Sequence, residues 1–566
     1  MPLDFTISAP VNFQFTPPAL NGMGRVLSPP FSASAPTAGF GEYEGFTQAD
    51  FQHYQTTQKT HALIMSALIG AVAIGVIVAT VSFPVLVWAA PVALIGLAAL
   101  GVRTYLLYKA SCNQFPPALT EDLNPTNFQA KRVGELIQET GSALVIPDAM
   151  ESKRYKLDLI RNAQQSIFLS FYMGEEALDE ALDLIKERLE QNRNLKVFIL
   201  GSDHFLTPEN RTRFDHLNKT YADRFFLVLN PEIYHSQHPQ GNSYLLSTNH
   251  IKLTAIDQGA YSIIGGCALR PFWTDVTGTE HLEKLNPGFD FYNPLEAKGF
   301  RDMDFAFKSQ PNGAGTTAFL EGAKLMVRYA YLQDPALAER LKGQFLEVMR
   351  SPSTLTQVPS FDTNPQRVDR FGIKLFSTGP DHTQNSYTHA VIDLINNATR
   401  KIVLAHMYFH PPQELIDALS AAAKRGVKIE IITNAKDKEA PLAHRFFVDL
   451  AQMKYRQLFK REGHENIKVH EFYRANTTYH KKAAVIDDRY TAFGSSNLGT
   501  KSMEENPADY EFNGITDSPA IAARTMQVLN TDIALSNEVS PETARNPSWD
   551  TRLLGGFQEF IMTRIL

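Results

Sequence analysis

His480-Lys-Lys482-Ala-Ala-Val-Ile-Asp487 repeats the arrangement of His250-Ile-Lys252-Leu-Thr-Ala-Ile-Asp257, 230 positions earlier. In a strand, residues two apart point to the same face, so each stretch presents an imidazole beside an ammonium group. The apolar residues that follow bury the rest of the strand. Given a histidine, Lys at +2 and Asp at +7 match by chance roughly once in 400 trials at ordinary residue frequencies. Among 16 histidines one match is unremarkable. Two matches at corresponding places of a repeated fold are not accidental.

Working outward, the repeat extends well beyond these residues. Ile160-Arg-Asn-Ala-Gln-Gln-Ser-Ile-Phe-Leu169 aligns without a gap with Ile395-Asn-Asn-Ala-Thr-Arg-Lys-Ile-Val-Leu404 at an offset of 235. In the first copy, 166–172 reads as a buried strand, 175–191 as an amphipathic helix and 195–201 as a strand. The second copy repeats this with strands over 401–408 and 427–433 and a helix over 412–425. Strand and helix periods that alternate in this way predict an α/β fold, and the repetition predicts an internal duplication. The expected domains are a Pro/Ala/Ser-rich tail at 1–58, an apolar hairpin at 59–110, a first half at 128–350, a linker at 351–367, a second half at 368–545 and an extension at 546–566.

The first 45 residues hold seven prolines and four charged side chains, a composition that favours disorder. They lack the basic-then-apolar order of an ordinary signal peptide. From Ala62 to Val102 there are 41 residues without a charge. A bilayer needs about 20 residues per helical span, so Ser82-Phe83-Pro84 is read as the break between two spans over 62–107. Lys59 before the hairpin and Arg103 and Lys109 after it place both ends, and the domains that follow, on the cytoplasmic side of a multi-pass membrane protein. The formal net charge of −6 leaves no basic surplus, which argues against general nucleic-acid binding. Two cysteines exclude a disulfide-built scaffold and a four-cysteine zinc site. There is no P-loop and no strand-linked G-x-G-x-x-G, so neither a nucleotide cofactor nor a metal is expected.

The paired motifs resemble those of the phospholipase D superfamily. Gly494-Ser-Ser-Asn497 follows the second motif as in that family, and Lys501-Ser-Met-Glu-Glu-Asn506 is similar to the stretch after it in bacterial cardiolipin synthases. Gly265-Gly266 and Arg301-Asp-Met-Asp304 are similar to those enzymes' GG and WRD elements. Departures are one extra residue before Gly265, Cys267-Ala268 where the family often has Asn, Phe300 in place of Trp, and an apparent insertion over 271–298.

The resemblance implies a duplicated α-β-α sandwich whose two pseudo-symmetric halves share one active site. It also implies a metal-free, membrane-anchored phosphodiesterase or phosphatidyltransferase acting on glycerophospholipids. The motif residues His250, Lys252, Asp257, His480, Lys482 and Asp487 form the expected catalytic set. Their roles are His250 as nucleophile, His480 as general acid and base, and the lysines against the phosphate oxygens. Asp257 and Asp487 are read mainly as ties for the strand ends. Ser495 and Asn497 are the expected phosphate donors. A carboxylate should hold each imidazole by its other nitrogen, and the matched triplets 303–305 and 510–512 nominate Asp304 and Glu511. His406 and His410 are read as packing residues. The competing readings are a nuclease-type phosphodiesterase and a non-catalytic membrane-tethered scaffold.

Overall fold

The computed structural model describes residues 60, 63–69, 101, 104–105, 117–172, 177–202, 208–230, 248–267, 272–274, 280–282, 299–352, 356–380, 382, 384–435, 442–473, 477–505, 507–549, 551–552 and 555. The expected tail at 1–58 lies outside the described residues, as does most of the hairpin at 62–107 and of the extension at 546–566. Among the described residues, no helix is long and apolar enough to cross a membrane.

The first-half strands are β1 (Ile137–Ile146), β2 (Ser166–Phe171), β3 (Lys196–Ser202), β4 (Phe225–Asn230), β5 (Leu253–Ile256), β6 (Tyr261–Gly265), β7 (Phe272–Thr274), β8 (Glu280–Leu282), β9 (Gly299–Arg301) and β10 (Asp304–Lys308). Those of the second half are β11 (Val368–Thr378), β12 (Lys401–His406), β13 (Lys428–Asn434), β14 (Ile467–Phe472), β15 (Thr477–Tyr479), β16 (Lys482–Ile486), β17 (Tyr490–Gly494), β18 (Glu511–Asp517) and β19 (Ser536–Glu538). Fifteen of them join one sheet in the order β19-β14-β13-β12-β16-β17-β18-β11-β1-β10-β6-β5-β2-β3-β4. Apart from the edge strand β19, this order is a palindrome about the antiparallel β11–β1 pair. The duplication read from the sequence is therefore a pseudo-two-fold axis in the sheet.

Within each half the strands β2-β3-β4 and β12-β13-β14 run parallel. Every residue of β2 is buried, as expected where helices cover both faces of a sheet. Phe168, Phe198 and Leu253 pack under the long helix Ala314–Gln333 in a core that also takes Phe371, Phe493 and Tyr510 from the second half. The halves thus share apolar packing as well as a sheet edge. The stretch expected as a linker is itself packed. Val358 and Phe361 are buried, Tyr261 Oη donates to Asp362 at 2.6 Å, and Lys308 pairs with the same carboxylate at 2.8 Å.

The insertion expected over 271–298 contributes β7 and β8 to a separate four-stranded sheet, order β15-β9-β7-β8. Because β9 leads into Arg301-Asp302 and β15 leads into His480, this sheet carries a first-half segment to the second motif.

Candidate active site

Each His-Lys motif begins just before its strand, and each is clamped by the opposite half. His250 N–H donates to the Tyr510 carbonyl at 3.0 Å, and His480 N–H to the Arg301 carbonyl at 3.0 Å. The residue after each of those carbonyls is a carboxylate that reaches the imidazole. Both Glu511 oxygens lie 3.0 Å from His250 Nδ1, and Asp302 Oδ2 lies 2.5 Å from His480 Nδ1. Engaging Nδ1 orients the ring and leaves Nε2 for chemistry. Ser502 Oγ donates to Glu511 at 2.7 Å, and the Met303 N–H donates to Asp302 at 2.9 Å.

The lysines fold back on their own motifs. Lys252 Nζ donates to the His250 carbonyl at 2.8 Å, and Lys482 Nζ to the His480 carbonyl at 2.7 Å. Lys482 Nζ also lies 3.1 and 3.2 Å from the His480 ring nitrogens. All four motif side chains are buried. Burial, with the charge of Lys482 adding to it, pushes Lys252 down to about 7, while Glu511 opposes that shift. Burial lowers Lys482 to about 8 against the pull of Asp302. The charge of Lys482 reaches both His250 and Lys252, so the two motifs form one cluster. Burial also lowers His250, offset by Glu511.

Aromatic rings complete the cradle, one of a different kind on each side. Phe300 stacks on His480 with centroids 4.3 Å apart and planes at 16°. Tyr172 meets His250 edge-on at 5.2 Å, with Lys252 Nζ 5.6 Å from its ring centre. His406 and His410, expected as packing residues, are buried and uncharged. Burial, with Lys482 near the first and Lys454 near the second, depresses both to about 3.

The structure places three groups of expected site residues elsewhere. Asp304 does not hold an imidazole. Its carboxylate accepts from the Cys267 N–H at 3.0 Å, pairs with Lys156 at 2.9 Å and takes the Ser152 hydroxyl at 2.5 Å. The reason is register: β10 pairs Asp304 with Gly265, whereas β18 pairs Asn513 with Gly494. The counterpart of Glu511 is therefore Asp302, and aligning Asp304 with Glu511 slips the copies by two residues. Anchoring the comparison on Gly265 and Gly494 finds Asp302 from the sequence.

Asp257 and Asp487 stand away from the imidazoles, at the far ends of β5 and β16. Asp257 accepts from the N–H groups of Gln164, Gln165 and Ser166, and from the Thr356 hydroxyl. Asp487 accepts from those of Thr399, Arg400 and Lys401. Both adopt positive φ, 51° and 53°, a conformation that Asp tolerates better than most residues. They tie strand ends, as their strand context suggests, and do not touch the His-Lys cluster.

Ser495 is also committed elsewhere. Its hydroxyl accepts from the Phe512 N–H at 2.9 Å and donates to the Phe512 carbonyl at 3.3 Å, with no exposed surface. It locks the strand that carries Glu511 and is not placed for phosphate. Asn497 is partly exposed, and its Oδ1 has no hydrogen-bond partner among the described residues.

Behind the second motif lies a buried network that the sequence did not announce. Arg301 Nε, Lys481 Nζ and Tyr479 Oη converge on Asp532 at 2.6, 2.7 and 2.9 Å. It fastens the first-half arm bearing Phe300 and Asp302 onto the second half.

The palindromic sheet thus brings two cross-braced His-Lys motifs, one from each half, into a single cluster. Residues 391–533 match the family described as cardiolipin synthase, PLD-like domain. The major cardiolipin synthase of Bacillus subtilis strain 168 is 23% identical over 421 residues, 73% of each chain. Cardiolipin synthase 2 of Staphylococcus epidermidis is 28% identical over 226 residues, 38% of this chain and 43% of that one. Phosphatidylserine synthase from Haemophilus influenzae Rd KW20 shares the fold, with a TM-score of 0.51 and 16% identity over 79% of this chain and 98% of that one. The family match over residues 391–533 and the similarity to cardiolipin synthases support assigning the chain to the phospholipase D superfamily, as an enzyme of that class.

Proposed function

We propose that this chain transfers or hydrolyses the phosphatidyl group of glycerophospholipids through a phosphohistidine intermediate, with its catalytic halves held at a membrane by residues 62–107. The observation that carries the reading is the crossed pair of imidazoles. Each is fixed at Nδ1 by a carboxylate of the other half, and each lies beside a lysine. The lipid substrate is supported by the cardiolipin synthase names of the relatives and by the uncharged 41-residue run.

In this mechanism, His250 Nε2 attacks phosphorus and the bond to the headgroup alcohol breaks. His480 gives that oxygen its proton. Lys252 and Lys482 balance the charge on the non-bridging oxygens, and the Asn497 amide adds a donor. Water or a second alcohol then gives its proton to His480 and attacks phosphorus, which frees His250. Water as acceptor yields phosphatidic acid. Phosphatidylglycerol as acceptor yields cardiolipin and glycerol.

Product analysis tests the proposal. Full-length enzyme in vesicles of phosphatidylglycerol should give cardiolipin or phosphatidic acid by lipid mass spectrometry. Cleavage of DNA or RNA with neither lipid product would sink it.

The depressed lysines add a pH prediction. Each is a cation below its value and neutral above it, so kcat/KM should fall as pH rises through about 7 to 8. Bound phosphate keeps the lysines charged, so kcat should fall at higher pH than kcat/KM. Lys252→Arg, which does not titrate in this range, should weaken that limb. An unchanged limb in this variant would remove Lys252 from it.

A further inference from the structure

Matching the copies by sheet register exposes a place where they differ in charge. In the second half, Asn513 Oδ1 accepts from the Ser496 N–H at 3.1 Å, and Asn513 Nδ2 donates to the Ser496 hydroxyl at 2.8 Å. In the first half the same positions are Asp304 and Cys267, and the Cys267 N–H donates to Asp304 at 3.0 Å. The neutral amide of one copy is a carboxylate in the other. Its charge is met by Lys156, which pairs with Asp304 at 2.9 Å and donates to the Cys267 carbonyl at 2.7 Å. The counterpart of Lys156, at the 235-residue offset of the helices, is the core residue Val391. The charged pair thus belongs to the first half alone, and both members are buried.

Its location ties it to the second motif. Asp302, which holds His480, is two residues before Asp304, and Gly266 packs so closely on Asp302 that a Cβ there would strike the carboxylate. Lys156 therefore braces, through Cys267, the turn on which Asp302 rests. Lys482 is faced by Asp302, Asp304, Glu511 and Cys267, and its charge reaches Lys252 and His406. Asp304 and Lys482 line the same small cavity, and Asp304 is among the anions that act on Lys482, so the carboxylate end of the pair faces the His480–Lys482 side.

We propose that Lys156 and Asp304 are positioning residues, an oriented buried ion pair that makes the two half-sites electrostatically unequal and keeps the His480–Lys482 side cationic. The inference rests on the phosphatidyl-transfer reading above. The carboxylate favours the protonated forms of that side. Lys156 supplies the countercharge that a buried carboxylate requires. Among the described residues no such device stands behind His250, where Asn513 and Ser496 are neutral. The pair therefore supplies a physical basis for different roles on a nearly symmetric frame.

The test is a two-step substitution read by pH profile. Asp304→Asn keeps the shape of the side chain and leaves Lys156 as an uncompensated buried cation. The alkaline limb of kcat/KM should move to lower pH by about one unit, the scale of one buried charge a few ångströms away. Adding Lys156→Met removes the orphaned cation and copies the neutral arrangement of the second half. That double variant should recover only part of the displacement, because the orphaned cation is gone but the carboxylate is still missing, and it should melt at a higher temperature than Asp304→Asn alone. A lowered kcat with an unmoved limb in Asp304→Asn would mean a merely structural role and overturn the proposal, as would a double variant no closer to wild type than the single. If Asp304→Asn does not fold, the double variant carries the test: it lacks the oriented pair, so its limb should lie at lower pH than that of wild type, and a limb that coincides with wild type would overturn the proposal. Wild-type enzyme without phosphatidyl transfer would instead overturn the reading on which this rests.

Discussion

Asn in place of His250 should abolish turnover, by a factor on the order of 10⁴ or more, because the group that bonds to phosphorus is gone. Asn in place of His480 should cost less, about 10²- to 10⁴-fold, the ordinary range for a lost general acid and base. The two variants also separate by leaving group. An ester of a strongly acidic phenol needs no proton as it departs, so His480→Asn should form the covalent intermediate on it at nearly the wild-type rate. The intermediate should then accumulate, because the next alcohol or water has lost its base. Rapid quenching and intact-protein mass spectrometry would show the added mass on His480→Asn and none on His250→Asn. The opposite pattern would exchange the two roles. Full activity in either variant would end the mechanism. Circular dichroism on both variants checks that the fold is kept, as it should be, since neither substitution removes the N–H groups bonded to Tyr510 and Arg301.

The largest effect on stability is expected away from the reacting atoms. Asp532→Ala strands two fully buried cations, Arg301 and Lys481, and removes the acceptor of Tyr479. Breaking a buried pair by deleting one partner costs about 3–5 kcal/mol. Urea or thermal unfolding should show a loss of that order. Activity should fall with it, because the Arg301 carbonyl accepts from the His480 N–H and the adjacent Asp302 holds the ring. The surroundings of His250 show that the fold can do without these charges, since the counterparts of Lys481 and Arg301 there are Ile251 and Tyr510. Asp532→Leu combined with Lys481→Ile and Arg301→Met should therefore be more stable than Asp532→Ala alone. A triple variant less stable than the single would mean that the network acts by shape and not by charge balance.

The parts of the molecule visible in the sequence were those set by local pattern. The alternation of apolar strands and amphipathic helices, and the ungapped match of 160–169 with 395–404, carried the duplication and the α/β class. Spacing within one strand carried the His-Lys pairs. The parts that escaped were set by pairing between distant strands. Asp302 and Asp304 are both plausible partners for an imidazole in a one-dimensional reading, and only the register of β10 against β6 separates them. Nothing local says that Glu511 serves the histidine of the other half. Ser495 looked like a phosphate donor because it stands in a Gly-Ser-Ser-Asn turn. Its hydroxyl is spent on Phe512, a partner fixed by the β17–β18 pairing. Lys156 lies on the helix Ala149–Asn162, and nothing local marks it as buried until the Gly265–Cys267 turn is placed against it.

The crossed bracing of the two imidazoles has a consequence for how such a chain can change over time. A single copy could not work alone, since its histidine would lack the carboxylate that orients it. Two identical copies docked edge to edge, as β1 docks on β11, would complete each other. Once both copies lie on one chain, that mutual need no longer forces them to stay alike, and each can drift so long as the pair still closes. Phe300 against Asp509, Asp302 against Glu511, Lys156 against Val391 and the insertion carried by only one copy are the record of that release from symmetry.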